Sequence, residues 1–295
     1  MLTIFSVPKP FRGDIGLMQR NAIQSWLRLS PPCDVVLFGN EEGTAQVAAD
    51  FKIRHEPHLV CNEYGTPLVS DLFEKAHHLP TQNLLCYVNS DIILLSDLVK
   101  AVQRIRFKKF LMVGQRWDIT LKALWDFEKP TWEAVLREYV AHHGILHPPL
   151  GSDYFVFPRN DDIGRIPPFA IGRPGWDNWL IYRARKLHIP VVDVTKVVTV
   201  IHQNHDYSHV LNQNEGTWEG PEADRNRELM GGYEYAYTLL ESTHVMTRRA
   251  VRTAFTHKYQ RKYHQTLSIL LPRMKAFVQF LRRAAVYFRL WGSTR

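Results

Sequence analysis

The sequence is poor in cysteine and has no long hydrophobic run. Its 295 residues include only three cysteines, Cys33, Cys61 and Cys86, without C-x-x-C spacing. We therefore infer neither a disulfide framework nor a zinc knuckle, and interpret Cys33 and Cys86 as small core residues. No stretch of about 18 uncharged apolar residues occurs, so no membrane-spanning helix is predicted. The first residues lack a basic segment followed by a long apolar run, so we expect no signal peptide and a cytoplasmic location.

Two common nucleotide-binding motifs are also missing. No G-x-G-x-x-G follows a predicted strand, and there is no Walker A lysine. The absence of both motifs argues against a dinucleotide-dependent dehydrogenase and against a P-loop enzyme. The composition, 45% hydrophobic and 22% charged, is typical of a globular protein. The length suits one large α/β domain, alone or with an appendage.

The excess of positive over negative charge comes from the C-terminal part of the chain. The formal net charge is +8, yet residues 243–295 hold 12 Lys and Arg and no Asp or Glu, so the rest is mildly acidic. Apolar residues recur at helical spacing between 267 and 288, which predicts an amphipathic basic helix. Such a helix can pack on the domain with its basic face in solvent, or lie in a membrane interface. We predict peripheral membrane contact through residues 267–291, and no nucleic-acid binding because no such motif accompanies the charge.

Short apolar segments alternate with helical periodicity along the first 115 residues. This alternation predicts a mostly parallel, Rossmann-like α/β sheet flanked by helices, which binds ligands where the strand order reverses. We divide the chain into an α/β domain, 1–240, and a helical basic tail, 241–295. Strands are predicted at 2–7, 35–38, 52–55, 84–88, 110–113, 154–157, 191–194 and 197–202. Helices are predicted at 13–29, 42–51, 66–78, 94–105, 132–143, 176–187 and within 225–240.

The apolar strand Leu84–Val88 runs directly into a polar cluster, Asn89-Ser90-Asp91. Asp91 would project from the carboxyl end of the strand. A carboxylate there, with the Asn and Ser oxygens beside it, suits a hard divalent cation that takes its other ligands from water and a diphosphate. The same three residue types also cap helices, and a helix is predicted soon after. Local sequence leaves both interpretations open.

This strand and its Asn-Ser-Asp-Ile sequence resemble the D-x-D element of GT-A glycosyltransferases of the family 2-like nucleotide-diphospho-sugar transferase type. In that element an x-x-D triplet holds Mn²⁺ or Mg²⁺ against a nucleotide sugar. The position, after three β/α units, agrees with the resemblance. It implies that Asp91 is a metal ligand. Asn89 replaces the first Asp of the motif, which implies a softer role for it, with Ser90 beside it, on the ribose or a water.

A second polar segment, 201–209, contains three histidines and follows a β-branched run. GT-A enzymes often supply a further metal ligand, commonly a His, late in the domain. The resemblance therefore implies that His202 is a metal ligand, with His205 as the alternate, and neutral imidazole suits such ions. A plain surface loop is the alternative. A zinc site is another, although no cysteine accompanies the histidines.

Two aspartates are candidates for the catalytic base. In inverting GT-A enzymes an acidic residue near a helix start takes the proton from the acceptor hydroxyl. Asp177, which follows Gly175-Trp176 at a predicted helix start, resembles that residue, although a capping carboxylate would look the same. Asp153, just before the strand predicted at 154–157, is the second candidate. It would be a second acid or would bind the acceptor hydroxyl, and a turn-forming Asp is its alternative.

Nucleotide contacts are expected in three places. By analogy with GT-A enzymes, the end of strand one, at Val7 to Lys9 with Pro8, would hold the base. Asn62 and Thr66 lie in a loop that opens a predicted helix, whose N–H groups could meet a diphosphate or ribose. Thr66 as a plain helix cap is equally compatible with the sequence. Arg116 could pair with a phosphate or be a surface arginine.

These features together predict a metal-dependent glycosyltransferase. It would move a sugar from a nucleotide diphosphate sugar to a hydroxyl of a glycan, lipid or small-molecule acceptor, with Mn²⁺ or Mg²⁺ bound. A sugar-1-phosphate nucleotidyltransferase would share the sheet, but it usually carries a Gly-rich segment after strand one, where this chain has Pro8 to Gly13. A non-catalytic, membrane-associated scaffold with the same fold is the second alternative.

Overall fold

The computed structural model describes residues 2–79, 82–159, 162–204, 218–254, 266 and 269–271. Its strands are β1 Leu2–Ser6, β2 Asp34–Phe38, β3 Arg54–Glu56, β4 Leu84–Val88, β5 Ile92–Leu94, β6 Leu111–Val113, β7 Trp117–Ile119, β8 Ile145–Leu146, β9 Tyr154–Pro158, β10 Val191–Asp193, β11 Val200–Gln203, β12 His244–Met246 and β13 Val251–Thr253. Its α-helices are α1 Gly13–Leu27, α2 Thr44–Phe51, α3 Val69–His78, α4 Ser96–Arg104, α5 Trp132–His143, α6 Trp176–Lys186 and α7 Pro221–Met230. Short 3₁₀ turns occur at Asp162–Gly164, Tyr233–Tyr235 and Leu239–Glu241.

Nine strands form one large sheet in the order β13-β12-β10-β6-β9-β4-β1-β2-β3. Most neighbours are parallel, but β9 runs antiparallel to both β4 and β6, and β13 antiparallel to β12. The predicted mostly parallel α/β sheet is therefore confirmed. The chain proceeds outward from β1 to β3 and returns to place β4 on the other side of β1. This reversal opens a crevice at the carboxyl ends of β1 and β4.

The central strands are mostly apolar and almost fully buried, as is typical of parallel strands covered on both faces. All five residues of β1 are buried, as are the last four of β4. Trp26 on α1 is fully buried, and its indole N–H donates a 2.8 Å hydrogen bond to the carbonyl of Ile92. This bond ties α1 to the segment that follows β4, so the crevice has a rigid floor.

A second sheet of four strands has the order β5-β11-β7-β8. Its central strand β11 is antiparallel to β5 and parallel to β7, and the register sets His202 opposite both Ile92 and Asp118. The next strand, β8, is antiparallel to β7. The sequence pattern predicts β11 but not the other three strands. The helix predicted from residue 94 begins at Ser96, because Ile92–Leu94 pairs with β11 instead.

The helix predicted over 66–78 also begins later, at Val69. The preceding residues are held in extended pairing. The Ile171 N–H donates to the carbonyl of Pro67, and Leu68 forms an antiparallel bridge with Ala170. Thr66 is therefore not the cap of this helix, which corrects that interpretation.

The chain divides into two compact units, Met1–Thr253 and Ala254–Arg295. Strands β12 and β13 lie beyond the domain boundary predicted at residue 240 and belong to the large sheet. The amphipathic helix predicted in the tail, 267–291, falls outside the described residues except at 269–271. Among the residues that the structure describes, no helix has the length and apolar character needed to cross a membrane.

Candidate functional site

Asp91 and His202 come together at the carboxyl end of β4. Asp91 directly precedes β5 and His202 lies on β11, so the pairing of these two strands brings the side chains together. His202 Nε2 lies 3.7 Å from Asp91 Oδ2, and both side chains are largely buried. This distance is too long for a hydrogen bond, so both atoms can face one ion. A carboxylate and an imidazole are suitable donors for a Mn²⁺-like cation.

A third side chain, Asp118 on β7, lies on the other side of the His202 ring. Its Oδ1 is 3.2 Å from His202 Nδ1 and accepts a 2.9 Å hydrogen bond from Arg116 Nε. Its Oδ2 lies 2.8 Å from His147 Nδ1. Burial disfavours the charged form, but the hydrogen bonds from His147 and Arg116 outweigh it and hold the pKa of Asp118 below its ordinary value. Asp118 is therefore a stable anion between two imidazoles.

Arg116 connects Asp118 to Asp153. Its terminal nitrogen lies 2.5 Å from Asp153 Oδ2, while its Nε binds Asp118. Burial opposes the charge, but the two carboxylates more than compensate and raise the pKa of Arg116 above its ordinary value. The guanidinium is thus engaged by protein carboxylates. Sequence reasoning selects Arg116 as a phosphate partner and gives no sign of these intramolecular contacts.

Asn89 binds protein groups through both ends of its side-chain amide. Its Nδ2 donates a 2.8 Å hydrogen bond to Asp153 Oδ1, and its Oδ1 accepts a 2.7 Å hydrogen bond from the hydroxyl of Tyr87. The Asn89 backbone N–H also donates to the carbonyl of Asp153 at 2.8 Å. These contacts hold Asp153, which is 7% exposed, against the end of β4.

Asp177 is the second residue of α6 and is partly buried. Burial raises its pKa to about 6, against an ordinary value of 3.8; backbone N–H groups, among them that of Ser152, oppose the shift, and the charge of Asp153 adds to it.

Tyr87 connects the acidic residues. Burial first, and then the charges of Asp153, Asp91 and Asp177, raise the pKa of its hydroxyl. All three predicted aspartates therefore act on one buried phenol.

Ser90 ties the end of β4 to the end of β1. Its hydroxyl donates a 2.7 Å hydrogen bond to Gln19 Oε1, and the Gln19 amide binds both the N–H and the carbonyl of Lys9. Pro8 is buried, whereas Lys9 is exposed. The loop after β1 is thus fixed at the point where the strand order reverses, and the side chain of Lys9 is exposed there.

Asn62 and Thr66 lie in a different polar cluster, centred on Glu222 at the start of α7. Asn62 Nδ2 donates a 2.6 Å hydrogen bond to Glu222 Oε1, and Arg173 forms a 2.6 Å ion pair with Glu222 Oε2. Burial opposes ionisation, but hydrogen bonds from Thr66, Asn62 and Arg173 lower the pKa of Glu222. Asn62 Oδ1 also accepts from the Thr66 N–H at 2.9 Å. These contacts join Asn62 and Thr66 to α7 rather than to Asp91.

Two residues of the site, Asp118 and His147, are not predicted from the sequence. Asp118 lies in the sequence run from which Arg116 is chosen, and His147 follows a two-residue strand that has no periodic signal. Only the strand pairing within the small sheet brings them beside His202. His205, the alternate ligand, lies outside the described residues. Within the described ranges, no three His, Cys, Asp or Glu side chains are grouped so that they could hold a metal ion.

Comparisons with known proteins find structural rather than sequence similarity. No family model and no curated protein matches the chain. The structure of GalNAc-T7 with UDP, GalNAc and Mn²⁺ aligns with a TM-score of 0.51 at 13% identity, over 78% of this chain and 48% of that one. TarS from S. aureus in complex with UDP-GlcNAc aligns with a TM-score of 0.49 at 11% identity, over 78% and 64% of the two chains.

A third structure is glucosyl-3-phosphoglycerate synthase from Mycobacterium tuberculosis in complex with Mg²⁺ and UDP. It aligns with a TM-score of 0.45 at 11% identity, over 80% of this chain and 79% of that one. The chain thus spans less than two thirds of the TarS and GalNAc-T7 chains. The likeness to the GalNAc-T7 structure shows that the chain shares its fold, the GT-A fold that the resemblance in the sequence implies.

Proposed function

We propose that this chain, whose fold is that of the GT-A nucleotide-diphospho-sugar transferases, moves a sugar from a nucleotide diphosphate sugar to an acceptor hydroxyl. One observation carries the proposal: His202 Nε2 and Asp91 Oδ2 face each other across 3.7 Å at the carboxyl end of β4. That position borders the crevice where the strand order reverses, and sheets of this kind bind ligands there.

The two side chains would hold a divalent cation, Mn²⁺ or Mg²⁺. Their chemistry fits: one carboxylate and one imidazole leave the remaining coordination positions to water and to diphosphate oxygens. When bound, the ion would neutralise charge that develops on the departing nucleotide diphosphate. The structural neighbour GalNAc-T7 holds UDP and Mn²⁺, so this nucleotide and this ion are the first to test.

Asp177 would accept the proton of the acceptor hydroxyl. A general base works best when its pKa lies near the working pH, and burial raises the pKa of Asp177 to about 6. Asp153 is the weaker candidate because Asn89 and Arg116 each hold one of its carboxylate oxygens. We assign Asp153 to holding the acceptor side of the crevice.

The nucleotide would lie along the loop after β1. Ser90, Gln19 and Lys9 are hydrogen-bonded to one another there, and the ammonium of exposed Lys9 is a suitable partner for a phosphate or a base edge. Pro8 would support this loop from beneath.

Calorimetric titration with UDP and GDP, with and without Mn²⁺, tests the proposal. We expect one nucleotide to bind only with the metal present, and Asp91→Asn to weaken that binding by at least about tenfold, as loss of a metal-site group typically does. Asp34→Asn, at an exposed carboxylate, is the control that should bind as the wild type does. Absence of metal-dependent binding in the wild type would favour the scaffold alternative. Donor hydrolysis across a panel of nucleotide sugars would then identify the sugar.

We also propose that the basic part of the chain, 243–295, contacts anionic membranes through residues 267–291. Its support is charge alone: 12 Lys and Arg and no acidic residue. Each basic residue near an anionic surface contributes about 1 kcal/mol. The full chain should therefore sediment with vesicles that contain phosphatidylserine but not with neutral vesicles. Equal sedimentation of a chain truncated after residue 265 would contradict this proposal.

A further inference from the structure

A series of polar contacts runs from one proposed metal ligand to the neighbourhood of the other. It runs from His202 to Asp118, then through Arg116 to Asp153, and from there to Asn89, two residues before Asp91. His202 and Asp91 themselves lie 3.7 Å apart. We propose that Asp118 is a positioning residue that fixes the orientation and the tautomer of the His202 imidazole. The inference rests on the proposed function in one respect, namely that His202 is a metal ligand.

Two donors hold the carboxylate of Asp118 in one orientation. His147 Nδ1 lies 2.8 Å from Oδ2, and Arg116 Nε lies 2.9 Å from Oδ1. His147 is itself fixed, because its backbone N–H donates to the carbonyl of Arg116 at 2.9 Å. Asp118 thus gives Oδ2 to His147 and Oδ1 to Arg116, and Oδ1 also lies 3.2 Å from His202 Nδ1. With both oxygens engaged, it is suited to orient a ligand rather than to bind the ion itself.

The backbone fixes the distance between Asp118 and His202. The two residues are direct partners in the parallel pairing of β7 with β11. The His202 side chain is 10% exposed, so its ring has little space in which to turn. Nδ1 faces Asp118 at 3.2 Å and Nε2 faces Asp91 at 3.7 Å.

Each ring nitrogen of His202 has a carboxylate beside it. That of Asp118 is the nearer, at 3.2 Å from Nδ1 against 3.7 Å between Asp91 and Nε2, which favours the tautomer with the proton on Nδ1. The lone pair then lies on Nε2, which faces Asp91 and the proposed ion. Histidine ligands of metals are commonly oriented by a carboxylate on their second nitrogen, and losing that partner typically costs 10- to 100-fold in metal affinity. Asp118 would therefore preorganise His202 before any ion binds.

Two readouts test this role, one of which needs no metal. The first is the tautomer of His202, measured from long-range ¹H–¹⁵N correlations of ¹⁵N-histidine-labelled protein at about pH 8, where an ordinary imidazole is neutral. His202→Gln assigns the signal. The second is Mn²⁺ affinity in the presence of UDP, measured by calorimetry.

The variants are Asp118→Asn and a matched control, Asp97→Asn. Asp97 is also a largely buried aspartate that pairs with an arginine, Arg137, at 2.7 Å, but it lies on α4. If Asp118→Asn fails to fold, Asp118→Glu takes its place. It keeps the charge opposite Arg116 and moves the carboxylate by one methylene.

We expect the Nδ1–H tautomer in the wild type, and about 10- to 100-fold weaker Mn²⁺ binding in Asp118→Asn or Asp118→Glu, with little change in Asp97→Asn. An Nε2–H tautomer in the wild type would overturn the inference. So would Mn²⁺ affinity in the Asp118 variants that matches the control. If the wild type binds no Mn²⁺ with UDP, the proposed function fails, whereas the tautomer measurement still decides whether Asp118 orients His202.

Discussion

Asn89 and Asp153 are joined by two hydrogen bonds, side chain to side chain and backbone to backbone, each 2.8 Å long. Asn89 stands where the D-x-D motif has its first aspartate. In this chain the amide at that position is needed as a donor, because its partner is itself a carboxylate. The departure from the motif therefore has a local physical reason.

Restoring the motif aspartate should harm this protein. In Asn89→Asp two carboxylates would meet at hydrogen-bond distance, and the loss of a donor to a buried charged group costs about 1–3 kcal/mol. We expect the free energy of unfolding to fall by about that amount in urea denaturation at neutral pH. Asn40→Asp, at an exposed site, is the control and should change it little. Higher stability or activity in Asn89→Asp would show that the amide is not required.

Asp177→Asn should abolish turnover while leaving nucleotide binding intact. Removing a general base typically lowers kcat by 10²- to 10⁴-fold. The carboxylate is replaced by an amide of the same shape, so KM for the donor and the affinity for UDP with Mn²⁺ should stay near wild-type values. Steady-state kinetics with the donor sugar found in the hydrolysis screen provide the measurement. If the variant keeps most of its kcat, Asp177 is not the base and another residue takes the proton.

The acidic limb of the pH profile should report Asp177. Its pKa in the folded protein is about 6, so kcat/KM should rise with pH through this region as the base loses its proton. The limb should be shifted or lost in Asp177→Asn. A wild-type profile that is flat between about pH 5 and pH 8 would contradict the assignment.

The ionisation of Asp177, which activates it as a base, should also lower the stability of the fold. The folded protein holds the Asp177 proton more tightly than the unfolded chain, whose aspartate pKa is near 3.8. The ionised carboxylate therefore destabilises the fold above about pH 6, and this cost vanishes below about pH 4. Asp177→Asn should melt at a higher temperature than the wild type at neutral pH, with a difference that shrinks as the pH falls from 6 to 4. A difference that grows on acidification would mean that the pKa is lowered instead.

Glu222→Gln tests whether the cluster with Asn62 and Thr66 serves the fold or the nucleotide. The variant removes the charge that binds Arg173 and weakens both other hydrogen bonds. We expect the free energy of unfolding to fall by about 1–3 kcal/mol, and UDP affinity to stay within about twofold. Asp224→Asn, an exposed residue of the same helix, is the control. A large loss of UDP affinity would show that this loop contacts the nucleotide.

The elements with strong periodicity were predictable from sequence. The bounds of β4 and α5 agree residue for residue with the predicted strand and helix, because a continuous apolar run and a helical stripe leave few alternatives. Strands β5, β7, β8, β12 and β13 were not predicted. Each has only two or three residues and is defined by its pairing with a neighbouring strand.

The residues of the site also fall into those that the sequence makes predictable and those that it does not. Asp91 and His202 could be chosen as candidates because each follows or ends a recognisable strand, and the structure places them 3.7 Å apart. The contacts of Asn89, Arg116 and Asp118 could not, because they depend on which strands are neighbours in the small sheet. The sequence shows which residues have the right chemistry. It does not show that the guanidinium of Arg116 already binds the carboxylates of Asp118 and Asp153.

The central position of β11 in the small sheet also governs when the site can form during synthesis. Before residues 200–203 leave the ribosome, β5 and β7 have no strand between them and Asp91 has no imidazole opposite it. Chains emerge at about 5–20 residues per second, so the first half of the domain is exposed for several seconds before β11 appears. A nascent chain therefore cannot form the proposed metal site, and the gap between β5 and β7 is a place where a chaperone or a wrong strand could insert.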